Sequence, residues 1–88
     1  MKLCGEFVVR QIIDSIVAIP VGQTALRLNC VILLNDVSKC IWDHLEQGTD
    51  LAGAVTAVTN AFEVSQEEAK ADILEFCDKL RNLQLLED

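Results

Sequence analysis

Eighty-eight residues, 51% of them apolar and 24% charged, make one globular domain, long enough to build a core without obligatory disulfide or metal staples. A formal net charge of −7 excludes binding nucleic acid through the phosphate backbone, which needs clustered Lys and Arg. The charge is uneven, with nine carboxylates against three basic groups over residues 49–88 and five against four over residues 1–48.

At the N-terminus, Met1-Lys2-Leu3 leads into Cys4-Gly5 and not into an apolar signal segment. The longest apolar runs, Ile16–Val21 and Cys30–Leu34, fall far short of the ~18 residues that span a bilayer. The expectation is a cytoplasmic protein with no membrane contact. Phe7–Ile13 and Ile16–Val21 are rich in β-branched residues, and Asp14-Ser15 between them favours a turn, so this stretch predicts a β-hairpin. Pro20 ends the second strand, and Gly22-Gln23 continues as a loop. Ala25–Leu34 supplies a third strand, joined to the second as an antiparallel meander with at least one open edge.

The stretch Leu26–Leu45 is the pivot, because a strand pattern runs straight into a helix pattern at Asn35, a good N-cap. The first helix carries Val37, Cys40, Ile41, His44 and Leu45 as one stripe, and Trp42 stands one position off it, closing the far side of the core or sitting under the sheet. Gly48 suits the end of that helix, and Thr49 or Asp50 caps the next, whose stripe is Leu51, Val55, Val58 and Phe62. Ser65 and Glu68 form a capping box for the third helix, with Val64 placed to staple against Ala69. Ala69, Ile73, Phe76, Cys77, Leu80 and Leu83 make its long apolar stripe, and Leu74 lies beside the charged Lys70, Asp78 and Arg81 as a half-apolar shoulder. Asn82–Leu86 folds back onto the helices, and Glu87-Asp88 frays. The fold class is therefore α+β: a three-stranded antiparallel sheet followed by three helices, like a winged helix-turn-helix, in a single domain over residues 1–88.

No catalytic constellation assembles, since the chain has one His, no Tyr and no phosphate-binding glycine loop. The four cysteines, at 4, 30, 40 and 77, contain no CxxC pair and read as thiols packed as small hydrophobes. Cys40 and His44 share a helix face, but a metal needs further ligands, so neither metal nor cofactor is expected. Asp14-Ser15-Ile16 imitates the attachment site of a small acidic carrier protein, yet Ser15 sits between strand-forming segments and not at a helix start. A winged-helix domain that contacts DNA or a regulatory protein is the alternative. Its recognition helix would set Lys70, Lys79 and Arg81 against Glu67, Glu68, Asp72, Glu75 and Asp78.

The order of these residues resembles the PqqD-like proteins, also called RiPP recognition elements. The resemblance rests on Leu34-Asn35 at the strand-to-helix junction, Ile41-Trp42 in the first helix, and most specifically Glu68–Leu86. Within that last piece stand Ala71-Asp72, Leu74-Glu75-Phe76, Leu80-Arg81 and Leu85-Leu86. Phe7-Val8-Val9-Arg10 and Ile19-Pro20-Val21-Gly22 extend it upstream. The chain departs from the family where Lys39-Cys40 and Cys30 stand at positions that often hold Gly. The resemblance implies a non-catalytic domain that holds the leader region of a ribosomally made precursor peptide and presents it to a modifying enzyme, frequently a radical SAM enzyme. It also implies that the peptide adds as a strand to the third strand, in a groove walled by the third helix. Carried onto this chain, the peptide backbone would pair with Asn29, Cys30, Val31, Ile32 and Leu33. Its side chains would meet Lys70, Leu74, Cys77, Asp78 and Arg81. An open strand edge can also pair with a second copy of the chain, or exchange elements with it, as a homodimer.

Overall fold

The computed structural model describes residues 1–88. The elements run β1 (Lys2–Leu3), β2 (Phe7–Ile12), β3 (Ser15–Pro20), α1 (Gly22–Arg27), β4 (Ile32–Leu34), α2 (Asp36–Gln47), α3 (Leu51–Ala61), α4 (Gln66–Asn82) and β5 (Leu86–Glu87). The expected meander is present as an antiparallel sheet in the order β2-β3-β4, followed by the three expected helices α2, α3 and α4. No helix is long and apolar enough to cross a membrane.

Strand pairing follows the two-residue alternation of β structure. Phe7 pairs with Pro20, Val9 with Ala18 and Ile12 with Ser15, and Ala18 and Ile16 pair in turn with Ile32 and Leu34. Phe7, Val9, Ile16, Ala18, Ile32 and Leu34 thereby reach the core. Arg10, Val17 and Leu33, which lie opposite one another, occupy the other face. The hairpin closes through Ile13-Asp14, where Ile13 takes a φ of 56° and leaves its side chain 87% exposed.

The helices start where side chains satisfy free N–H groups. Asn35 accepts from the Ser38 N–H at 2.8 Å while the Asn35 N–H donates to Ser38 Oγ at 2.8 Å, a reciprocal box that opens α2. Asp50, and not Thr49, caps α3 through the Gly53 N–H. Ser65 accepts from the Glu68 N–H and opens α4, without the return bond of a full box. Gly48 ends α2 at a φ of 89°, a conformation that costs other residues about 1–2 kcal/mol. Ile41, Trp42, Leu45, Val58, Ile73, Cys77, Leu80 and Leu85 are the largest fully buried side chains. The Trp42 ring meets Phe7 edge-on with centroids 5.0 Å apart, which joins α2 to the sheet.

Four features depart from the expectations. Gly22–Arg27 forms a short helix, so the third strand shrinks from Ala25–Leu34 to Ile32–Leu34, and Asn29, Cys30 and Val31 precede it as an irregular segment. Gln23, Ala25, Leu26 and Arg27 favour helix. Buried Thr24 anchors this turn by accepting from the Glu6 N–H at 2.7 Å, and Arg27 donates to the carbonyls of Leu83 and Gln84. His44 is exposed, its Nδ1 lying 2.9 Å from the Cys40 carbonyl, because the buried side of α2 centres on Ile41, Trp42 and Leu45. The helix α3 stops at Ala61, which puts Phe62 at its C-cap and not on its stripe. Glu87 and Asp88 do not fray: β5 pairs with β1, Lys2 opposite Glu87, and Asp88 joins Arg81 at 2.7 Å.

Candidate functional site

A strand at the end of a sheet leaves half of its backbone donors and acceptors unpaired. β2 and β4 are both such edges here, but only β4 has a groove beside it. That groove has a volume of about 550 Å³ and runs between β4 and α4, with the first turn of α2 at its base. Nine of its fourteen lining residues are hydrophobic: Cys30, Val31, Ile32, Leu33, Val37, Ile41, Phe76, Leu80 and Leu83. The other five are Asn35, Ser38, Asp72, Glu75 and Lys79.

Each wall has a sequence-level cause. β4 ends at Asn35 because the Asn35–Ser38 box turns the chain into α2, which brings Val37, Ser38 and Ile41 under the strand. Leu80 lies in the α4 core stripe and Phe76 and Leu83 on its flank, so these side chains serve the core and the groove together. Asp72, Glu75 and Lys79 recur on that same flank at three- and four-residue steps. Leu33 and Val31 stay 71% and 51% exposed.

Of the residues expected to pair with a peptide backbone, Cys30, Val31, Ile32 and Leu33 line this groove and Asn29 does not. None of the five expected on the helix does. Lys70 borders a separate shallow depression between α3 and α4, with Leu51, Ala52, Val55, Thr56 and Gln66. Cys77 is fully buried, and burial pushes its thiol pKa up. Asp78 pairs with Arg81 at 3.2 Å, and Arg81 also holds Asp88 at 2.7 Å. The hydrogen bond from Arg81 keeps the Asp88 carboxyl below the usual carboxylate range, and the same bond raises the pKa of the guanidinium. Arg81 thus clasps the chain end. Leu74 is 40% exposed and lines neither concavity.

The reason is geometric. At about 100° per residue, positions 70, 74, 77, 78 and 81 and positions 72, 75, 76, 79 and 83 fall on opposite flanks of the stripe centred on Ile73 and Leu80. Both flanks mix apolar and charged side chains, and only the packing of α4 against the sheet decides which one faces β4. Phe76 and Leu83 continue the core stripe toward the groove flank, but Cys77 and Leu74 continue it toward the other, so the pattern alone does not choose between them.

The family model described as coenzyme PQQ synthesis protein D (PqqD) matches residues 24–86 of this chain. Among solved structures, the chain is similar to TbiB1 in complex with the TbiA(beta) leader peptide. The TM-score is 0.73 at 26% identity, over 99% of this chain and 95% of that one. No curated protein matches the chain in sequence.

Proposed function

The chain belongs to the PqqD family, and from that premise we propose that it is a recognition domain for the leader region of a ribosomally made precursor peptide. The leader adds as a strand to the free side of β4, and the domain carries it, without catalysis of its own, to the enzyme that modifies the core. The observation that carries this reading is the groove: an unpaired strand edge faces an apolar helix wall across a space of about 550 Å³. Main-chain pairing at such an edge supplies affinity, and alternate side chains entering the groove supply selectivity. The TbiB1 complex supports a leader-binding role, since a protein of the same fold is in complex with a leader peptide. The net charge of −7 weighs against a DNA-binding winged helix.

An amide NMR titration with the synthetic leader region of the nearest short open reading frame tests the proposal. Saturable shifts confined to residues 30–38 and 72–83 are the expected result. Shifts produced by duplex DNA on α4, with none from the leader, would overturn it.

A further inference from the structure

The two walls of the groove are unequal in charge. The strand wall, Cys30 to Leu33, carries none, whereas α4 presents Asp72, Glu75 and Lys79 around Phe76. Lys79 lies 3.8 Å from Glu75, with both side chains at least 70% exposed, so this pair is loose. Asp72 has no hydrogen-bond or ion-pair partner in the protein, in contrast to Asp78 on the opposite flank, which Arg81 engages. The groove therefore keeps one uncompensated carboxylate at its helical rim.

Taking strand addition at β4 as given, we infer that Asp72, assisted by Glu75, selects a leader segment with a Lys or Arg among apolar residues. An added strand directs alternate side chains toward α4. Those over Phe76, Leu80 and Leu83 meet an apolar floor, while one at the rim meets Asp72 and Glu75. An exposed carboxylate on a bare helix is merely solvated. A peptide strand laid beside it expels water, lowers the effective dielectric and strengthens whatever charge interaction remains. A basic side chain there gains two carboxylate neighbours, a neutral one leaves Asp72 partly desolvated without a partner, and an acidic one is repelled.

The test is selection of a phage-displayed library of random dodecapeptides on the full chain and on Asp72→Lys. Amide shifts then map the winning peptides, and Kd values are measured for their Lys, Gln and Glu versions. Asp72 is exposed and unpartnered, so Asp72→Lys folds; Asp72→Asn is the milder second variant. On the native chain the winners should alternate apolar residues with Lys or Arg at one fixed position, and the Lys version should bind about five- to tenfold more tightly than the Glu version. Asp72→Lys should reverse that preference and Asp72→Asn should narrow it. Winners that shift β4 amides but show the same charge preference on all three proteins would overturn the inference and leave strand addition standing. Winners that shift amides away from β4, or no winners on any of the three, would overturn strand addition itself.

Discussion

The hairpin tip offers the cleanest quantitative check on how this sequence meets its backbone. Ile13 adopts a φ of 56°, a conformation that costs an L-residue roughly 1–2 kcal/mol and is least tolerated by β-branched side chains. It recovers little, because a fully buried Ile is worth roughly 1.5–3 kcal/mol and this one is 87% exposed, which leaves a few tenths at most. Ile13→Gly removes the strain and produces Gly-Asp, the turn chemistry suited to a positive φ at the first of two central residues. The greater freedom of Gly in the unfolded chain costs roughly 0.5–1 kcal/mol. The balance is a gain of about 0.5 kcal/mol, which in a domain of this size raises Tm by about 2–4 °C. Asp14→Gly is the control: Asp14 has no positive φ, so only the entropic cost applies and Tm should fall. Calorimetry at two protein concentrations reads both. If Ile13→Gly lowers Tm, the reasoning fails; a Tm that also depends on concentration would locate the missing contact in a second copy of the chain.

Asp88 owes its low pKa first to the hydrogen bond from Arg81, so the stabilisation it gives is complete above the ordinary carboxylate pKa and is lost as pH falls through the depressed one. The Tm gap between the native chain and Asp88→Asn should therefore close as pH falls below the ordinary carboxylate range, and a gap that does not change with pH would refute the clasp. Cys30 is exposed, whereas Cys77 is fully buried with its thiol pKa raised by that burial. Mass spectrometry after labelling with a disulfide reagent at pH 8 should find Cys30 modified first and Cys77 only at the rate of unfolding. The Trp42 indole N–H is buried without a partner. Trp42→Ala should cost about 3–5 kcal/mol in urea denaturation, but Trp42→Phe, which also removes that unsatisfied donor, less than about 1.5; a Phe loss well above that would mean the N–H is satisfied.

Most of the architecture was legible because its signals are local and strong. The caps at Asn35 and Ser65, the break at Gly48 and the stripes of α2 to α4 specify helices that the structure contains. What escaped the sequence is short or relational. A six-residue helix cannot display a full period, so Gly22–Arg27 looked like loop followed by strand. The two-residue strands β1 and β5 exist only because they find each other across the chain. The sequence stripe of α2 includes exposed His44 and excludes buried Trp42, because α2 packs against the sheet on one side and helices on the other. The strand wall of the groove was found because an open edge follows from strand order. The helix wall does not follow in the same way, because the face α4 turns toward β4 is a property of packing, and Leu74 with its charged neighbours points to the flank that lies away from the groove.

The length of β4 has a consequence for how any added strand could be held. Three residues of edge offer only a few backbone hydrogen bonds, each worth about 0.5–1.5 kcal/mol net. Their sum, about 2–4 kcal/mol, corresponds to no better than millimolar affinity. Pairing at this edge can fix the direction and register of a peptide but cannot hold it. The remainder has to come from side chains entering the groove, where burying two apolar groups against Val37, Ile41, Phe76, Leu80 and Leu83 adds about 3–6 kcal/mol before the cost of ordering the peptide. The irregular Asn29–Val31 segment sharpens this division, since it shortens the ladder while leaving Cys30 and Val31 against the groove. Discrimination by charge between peptides therefore falls to α4, which carries every charged side chain that the groove presents.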